Sequence, residues 1–303
     1  IAGDFYYKKT KDAFMNRTIS TINGLSSYTV NSGIVENTGF NVAVTLIPIR
    51  TEDFRWVFST SYSYTFNDLK TLPGQETNEM GDFLSGTALV KGEAVGTFFS
   101  YKYIGLNPLN GAPMFDDYEE RSDALKGLGK YDTFTKVLTP SGRREPFASG
   151  SFNNTFTYKN WRVAISMAYS LGAKTRLFRL YPNNQPEFAA TQNVSREFLK
   201  RWQNPGDEAR TDIPAVFSSA DISNQRYFTH YSQANTSNGG FAIATNAWQM
   251  FDNGDHRVVS ADYLKCTNLS LNYRFTSKIL STLKLSNLEV ALSTTNLFTI
   301  CNK

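Results

Sequence analysis

Residues 56–66 read Trp-Val-Phe-Ser-Thr-Ser-Tyr-Ser-Tyr-Thr-Phe, and this stretch decides the fold class. Large aromatic side chains alternate there with small, mostly polar ones. Because successive side chains of a β-strand point to opposite faces of a sheet, the pattern predicts a strand with one apolar and one polar face. The same alternation recurs in residues 40–47, 152–159, 161–170, 269–275 and 288–293.

The pattern predicts about seven strands, and the lengths of the connections between them also alternate. We expect strands at roughly 1–13, 34–49, 55–67, 149–159, 161–171, 260–275 and 287–299. Short connections follow the second, fourth and sixth strands, whereas long ones follow the first, third and fifth at 14–33, 68–148 and 172–259. Short turns at one end and long loops at the other are typical of an antiparallel membrane barrel.

The composition bounds the class of protein. Hydrophobic residues make up 41% of the 303 residues, which argues against disorder, and a net charge of +4 gives no case for nucleic-acid binding. No apolar run reaches the ~18–20 residues of a membrane-spanning helix, whereas barrel strands need only ~9–11. A soluble β-sandwich also has amphipathic strands, but loops of about 80 residues are rare in compact soluble domains.

Several stretches resemble the SusC-like (RagA-like) branch of the TonB-dependent outer-membrane transporters. They occur in the family's order along nearly the whole chain, at residues 4–12, 31–40, 101–108, 201–208, 260–273 and 285–299. The most specific are Tyr-Lys-Tyr-Ile-Gly-Leu-Asn-Pro at 101–108 and Arg-Trp-Gln-Asn-Pro-Gly-Asp-Glu at 201–208. One departure is Asn41, where an acidic residue is common in the family.

The resemblance implies an all-β fold: a large antiparallel transmembrane barrel of about 22 strands with long extracellular loops. It also implies a plug domain, a SusD-like surface lipoprotein as lid, energy from TonB and its inner-membrane motor, and a dimer of transporter–lid pairs. Residues 1–303 would be the C-terminal portion of the barrel, without the plug and the final strand. The chain begins inside a predicted strand with no targeting segment, so we expect an internal fragment of a bacterial outer-membrane protein.

The sequence shows no arrangement of residues typical of an enzyme, a cofactor site or a metal site. His230 and His256 are far apart and lack neighbours at metal-ligand spacing, so we expect surface residues. The segment Asp252–Asp255 lacks the spaced ligands of a calcium loop, and we expect a turn. Cys266 should face a residue near position 296, too far from Cys301 for a disulfide, so free thiols are expected.

The candidate binding residues are aromatic or basic. The third long connection carries rings between Asn, Gln and Ser residues, a mixture that can bind sugar faces or peptide backbones. For ligand or lid contact we select Trp202, Tyr227, Tyr231, Trp248 and Phe251. The alternative is that these rings pack the core of their own loop or meet the lid. Lys159 and Arg162 should face the lumen beside a short turn, where contact with the plug is expected.

The sequence therefore favours TonB-dependent import of an oligosaccharide or peptide across the outer membrane, with no bond of the substrate made or broken. Two alternatives remain open at this stage. One is a TonB-dependent receptor for siderophores or other metal chelates. The other, from a different class, is a secreted soluble β-sandwich that binds glycans.

Overall fold

The computed structural model describes residues 1–301 except 19–26, 72–77, 117–122, 182–183, 185–186, 189–190, 218–242, 244–245 and 283. None of the helices it describes is long and apolar enough to cross a membrane. In chain order the strands and helices are β1 (Ala2–Thr18), β2 (Ser27–Arg50), β3 (Phe54–Thr71), α1 (Met80–Ser85), β4 (Thr97–Ser100), β5 (Tyr103–Leu106), β6 (Pro113–Phe115), α2 (Lys130–Val137), β7 (Thr139–Arg143), β8 (Ala148–Tyr158), β9 (Trp161–Leu171), β10 (Lys174–Arg176), α3 (Ala247–Asp252), β11 (Val258–Ser260), β12 (Tyr263–Arg274), α4 (Ser277–Thr282) and β13 (Glu289–Cys301).

Seven strands form one antiparallel sheet in the order β1-β2-β3-β8-β9-β12-β13. These are the seven strands predicted from the alternation, each paired with its neighbour in the prediction. The all-β, antiparallel fold class is therefore confirmed. The sheet is open in this chain, with β1 and β13 at its two edges.

Two of the strand boundaries differ markedly from the prediction. The pairing of β1 with β2 continues as far as Thr18 opposite Ser27, so most of the segment expected as a loop at 14–33 is a hairpin. Backbone hydrogen bonds extend a hairpin whatever its side-chain pattern, which is why the alternation underestimated its length. The second difference is the start of β12, which was expected at residue 260 and lies at Tyr263. Val258–Ser260 pairs instead with β10 in a separate two-stranded sheet.

Because of the strand register, large apolar side chains lie on the same face of all seven strands. Phe40 lies opposite Tyr64, with ring centroids 5.6 Å apart, and Leu271 lies opposite both Val163 and Leu292. We call this the apolar face and the opposite side the polar face. Leu292 is 74% exposed, so no second layer covers this part of the apolar face among the described residues.

The long connections leave the sheet from one end, since β3 and β9 finish there and β8 and β12 begin there. We call the described residues of 78–147 and 172–262 the loop cluster. It contains three two-stranded sheets and the helices α1, α2 and α3 around a dry core. The short connections 51–53 and 159–160 lie at the other end, called here the short-turn end.

Both cysteines are free thiols. Cys266 is buried and lies opposite Phe298, two residues from the position expected from the sequence.

Candidate functional site: the loop cluster and the polar face

Arg176 on β10 joins the two long connections of the loop cluster. Its guanidinium group donates to the backbone oxygens of Leu84 (3.1 Å) and Phe99 (3.0 Å), which belong to the first connection. It also donates to Ser100 Oγ at 3.0 Å and to the backbone oxygen of Gly254 at 3.2 Å. Burial lowers the pKa of this guanidinium to about 10. Because so many oxygens from both connections share one cation, the two connections are held as a single unit.

Asp252 and Asp255 accept from backbone N–H groups, Asp252 within the second connection and Asp255 from the first connection. The carboxylate of Asp252 accepts from the N–H groups of Leu180 and Tyr181, each at 2.8 Å. Burial raises the pKa of Asp252. Asp255 accepts from the N–H of Tyr103 at 3.1 Å. The segment 252–255, expected as a turn, comprises the end of α3 and the beginning of a one-turn 3-10 helix.

The aromatic residues chosen from the sequence lie at different depths. Trp248 and Phe251 on α3 are fully buried, and their ring centroids lie 5.1 and 5.8 Å from that of Tyr181. In these positions they pack the core of the loop cluster, which is the alternative that the sequence left open. Tyr227 and Tyr231 fall outside the residues that the structure describes.

Trp202 is buried in the loop cluster, with 8% of its side chain exposed. Its Nε1 donates to Glu208 Oε2 at 3.0 Å, and its ring covers Gly111. A Cβ at Gly111 would overlap the indole, and Gly111 has a φ of 70°, which an L side chain rarely adopts. Trp202 belongs to the family-like motif at 201–208, and Gly111 follows the motif at 101–108 by three residues, so the two motifs are brought close together at this contact.

His256 corrects the expectation of a surface histidine. Its ring stacks on Tyr103, with centroids 3.9 Å apart, and lies 4.7 Å from the ring of Phe251. Both ring nitrogens are buried and have no hydrogen-bond partner. Burial, followed by the charge of Arg257, lowers the pKa of His256 to about 3. A neutral imidazole among aromatic rings acts here as a flat core residue. No local sequence pattern indicates this burial, because Tyr103 is 153 positions away.

Lys159 and Arg162 lie at the short-turn end. Lys159 Nζ is 3.6 Å from Asp53 Oδ2 and 5.5 Å from the centroid of the Tyr158 ring. Arg162 is exposed and lies opposite Thr157 on one side and Asn272 on the other. A cavity of about 330 Å³ is lined by both residues together with Thr157, Asn160, Trp161, Asn272, Arg274 and Glu289.

The centre of the polar face carries a chain of hydroxyl, amide and carboxylate groups. Ser63 Oγ donates to Asn41 Oδ1 at 2.6 Å, and Asn41 Nδ2 donates to Asp4 Oδ2 at 2.8 Å. The hydroxyls of Ser61 and Ser151 are 2.8 Å apart on neighbouring strands. A polar wall of this kind presents donors and acceptors to water or to a polar solute.

The comparisons with known proteins agree with this geometry. No protein-family model matches the chain. The curated relatives include the TonB-dependent receptor P39 of Formosa agariphila, 24% identical over 345 residues. They also include the TonB-dependent receptor SusC of Bacteroides thetaiotaomicron, 23% identical over 283 residues. The alignments cover 100% and 90% of this chain but only 30% and 24% of the two receptors.

Solved structures of the same shape exist. The RagAB peptide transporter superposes with a TM-score of 0.71 at 18% identity, over 99% of this chain and 30% of the other. The "closed-closed" state of that importer gives a TM-score of 0.72, also at 18% identity and with the same coverage of both chains. At this identity the match shows the fold alone.

The amphipathic sheet with its long loops at one end defines the class: part of the wall of a large antiparallel transmembrane barrel. Within that class, the chain is similar to the TonB-dependent receptors P39 and SusC, and its partial coverage of them fits a C-terminal part of the barrel.

Proposed function

We propose that the chain is the C-terminal portion of the barrel of an outer-membrane importer that takes up an oligosaccharide or a peptide. The import depends on TonB and its inner-membrane motor. The whole barrel of about 22 strands works with a SusD-like surface lipoprotein as its lid, and two transporter–lid pairs form a dimer. The protein moves its substrate without changing it chemically.

The observation that carries the proposal is the division of the sheet into two faces. The apolar face is continuous over seven strands and is left uncovered at Leu292, as required of a surface that contacts lipid. The polar face, with its paired serines and amides, suits the wet interior of a barrel. The relatives named TonB-dependent receptors supply the link to energised import.

The loop cluster is the proposed capture region. Because Arg176 and Asp255 join the two connections, the cluster offers a rigid surface to a ligand or a lid. In this proposal Trp248 and Phe251 support that surface from within, and Trp202 at its edge makes contacts. Tyr227 and Tyr231 remain proposed contacts.

Two observations favour this importer over the alternatives. A soluble β-sandwich needs a second sheet over its apolar face, and the described residues form a single large sheet instead. A metal-chelate receptor is disfavoured by the family-like motifs that meet at Gly111 and Trp202, since those motifs resemble the SusC-like branch.

Uptake by cells that express the full-length protein and its lipoprotein partner tests the function. We expect labelled oligosaccharides or labelled peptides to accumulate, and accumulation to stop when TonB is deleted. The matched control is the same strain without the transporter. Accumulation of ferric chelates alone would replace the proposal with the metal-chelate alternative. Uptake that persists without TonB would overturn its energised part.

A further inference from the structure

The charged side chains of the large sheet are divided unequally between its two faces. On the apolar face, near the loop cluster, bases and acids pair with each other. Lys9 Nζ lies 2.9 Å from Glu36 Oε1. Lys70 forms an ion pair with Asp68. Glu36 shares the face of Phe40, four residues further along β2, and lies opposite Asp68 on β3. The charges of this group therefore balance.

The polar face carries an excess of cations. Four arginines lie at the short-turn end, where successive register pairs carry one level of the sheet through Arg50, Arg55, Thr157, Arg162 and Asn272, and Arg274 follows Asn272 by two residues. Nearer the loop cluster, Lys8 lies opposite Asn37 on the face of Asn41, and Lys265 lies opposite Ala168. We call these six the polar-face cations: Lys8, Arg50, Arg55, Arg162, Lys265 and Arg274.

A β-bulge places one of the arginines on this face. Leu46 lies opposite Phe58, but the register shifts before Ile49, which lies opposite Trp56. With strict alternation, Arg50 would share the apolar face with Leu46. The shift moves Arg50 to the polar face opposite Arg55, the kind of re-aiming that bulges produce.

The polar-face cations have little counter-charge of their own. In the part of the chain that the structure describes, none of them forms an ion pair. The strands bring two carboxylates to this face: Asp4, which accepts from Asn41 at 2.8 Å, and Glu289, which lies opposite Arg274. Without these eight residues, the 31 basic and 27 acidic residues of the chain would balance. The positive excess therefore belongs to the polar face and not to the composition as a whole.

The positions of the cations indicate what the face attracts. Charges of one sign on a wall of low dielectric constant focus their field into the space that they line, and they raise the entry rate of opposite charges by about 10–10³-fold. The guanidinium fork matches a carboxylate in a bidentate way. Lys8 lies at the level of Asn67, roughly 40 Å along β3 from Arg55. Cations at both levels suit a long solute with repeated carboxylates better than a small anion.

We propose that the substrate of the importer is an acidic oligosaccharide, whose sugars carry carboxylate groups. This inference rests on the proposed function, because it needs a barrel closed around a lumen. Between the two groups of cations the wall consists of hydroxyls and amides, such as Asn41, Ser61, Ser63 and Ser151. Such groups exchange hydrogen bonds with sugar hydroxyls on every side of an oligosaccharide, whereas a peptide also brings apolar side chains that this wall does not match.

Uptake from a mixture tests the inference in cells that carry the full-length transporter and its lipoprotein partner. The mixture holds equal amounts of hexamers of galacturonate, glucuronate and mannuronate, the carboxyl-reduced neutral form of each, and hexaglutamate. Mass spectrometry of the accumulated material should find an oligouronide at least about tenfold above its own reduced form. Raising the salt concentration from about 20 to about 200 mM should weaken this preference, because salt screens the field. Equal uptake of both forms, or hexaglutamate ahead of every sugar, would overturn the proposal.

Paired charge variants locate the origin of the preference. Arg55→Gln with Arg162→Gln removes half of the positive excess, so a tenfold preference should fall to about threefold, since electrostatic free energy is proportional to charge. Lys9→Gln with Lys70→Gln removes as many cations from the apolar face and should leave the preference unchanged. If the arginine variant slowed the acidic and the reduced forms equally, the arginines would support the plug or the assembly instead, and the proposal would be wrong.

The outcomes also separate this inference from the importer itself. TonB-dependent accumulation of neutral sugars or peptides alone would refute the acidic substrate and leave the importer standing. If nothing accumulated in a TonB-dependent way, the importer would fail, and the acidic substrate would fail with it.

Discussion

The seven-stranded sheet and the loop cluster bury their apolar side chains in opposite ways. Among the described residues, the buried hydrophobic side chains lie almost entirely in the loop cluster; the sheet contributes Leu69, Ala148 and Cys266. In the sheet the large apolar side chains are mostly half-buried or exposed, and Leu292 is 74% exposed. The loop cluster thus folds as a small soluble domain does, around its own dry core. The apolar face of the sheet needs an apolar environment to cover it, and we propose that lipid provides this environment.

One chain therefore follows two burial rules within about 30 Å of backbone, roughly nine strand residues. β9 ends at Leu171 with an apolar face outward, and a few residues later Leu180 and Tyr181 are buried.

Trp248→Ala should unfold the loop cluster and leave the barrel intact. Removing a fully buried tryptophan from a packed core costs about 3–5 kcal/mol. Limited proteolysis of the full-length protein should show rapid cleavage within 172–262, while the gel mobility of the folded barrel is unchanged. A barrel that also loses its folded mobility would mean that the two regions are not independent.

Tyr62→Arg should impair assembly in the outer membrane far more than Ser61→Arg. The two residues are adjacent on β3, and Tyr62 lies on the apolar face whereas Ser61 lies on the polar face. An arginine that faces lipid at mid-depth costs about 2–4 kcal/mol, but one in a wet lumen costs little. The amount of folded protein in outer-membrane fractions measures the effect. Equal loss for both variants would contradict the assignment of the faces.

Gly150→Ala should destabilise the barrel by about 1–3 kcal/mol, the usual cost of overpacking. An added Cβ would overlap the backbone oxygen of Ser61 and the hydroxyl of Tyr169, whose ring covers this glycine. Gly3→Ala is the control, because a Cβ there meets Asn41 O at an ordinary 3.6 Å. Urea unfolding in detergent should separate the two variants. Similar midpoints would show that β8 accommodates the methyl group.

His256→Phe should make the stability of the loop cluster less dependent on pH. Because burial lowers the pKa of His256 to about 3, the unfolded loop binds a proton more readily than the folded one. The loop cluster therefore keeps its full stability, as far as His256 is concerned, above the pKa of about 6.5 that a histidine has in the unfolded chain. Its stability falls as the pH drops from there towards 3, by at most about 1.4 kcal/mol per pH unit. Protease resistance measured from pH 7 to pH 4 should fall more steeply in the wild type. Parallel slopes in both proteins would contradict this origin.

The fold of the sheet could be predicted because the alternation of side chains is local. β8 and β9 lie within one residue of the predicted strands at 149–159 and 161–171. The extension of β1 and β2 was missed because backbone pairing, rather than side-chain pattern, carries it. Helices α1 and α3 have six residues each, too few to show a helical period.

The candidate site was harder to predict, since its contacts connect distant residues. Arg176 donates to the backbone oxygen of Leu84, 92 positions earlier. Every residue has a backbone carbonyl, so the sequence does not indicate which one will accept. Trp248 and Phe251 were recognised as a cluster of rings, and the sequence did not decide between ligand contact and packing in the core of their own loop. The alternation of side chains placed Arg162 on the polar face. Arg50 was not predicted there, because a β-bulge between Leu46 and Ile49 reverses the alternation before it.

Spin labels on adjacent residues of the same strand can show whether lipid covers the apolar face. In the full-length protein with Cys266 and Cys301 replaced by serine, a nitroxide is placed in turn at positions 62, 165 and 292 and at the matched positions 61, 164 and 291. In bilayers, the first set should collide with oxygen and be shielded from a water-soluble nickel complex, and the second set should show the reverse. If positions 62, 165 and 292 were shielded from both reagents, the apolar face would be a dry protein core, and the account would be wrong.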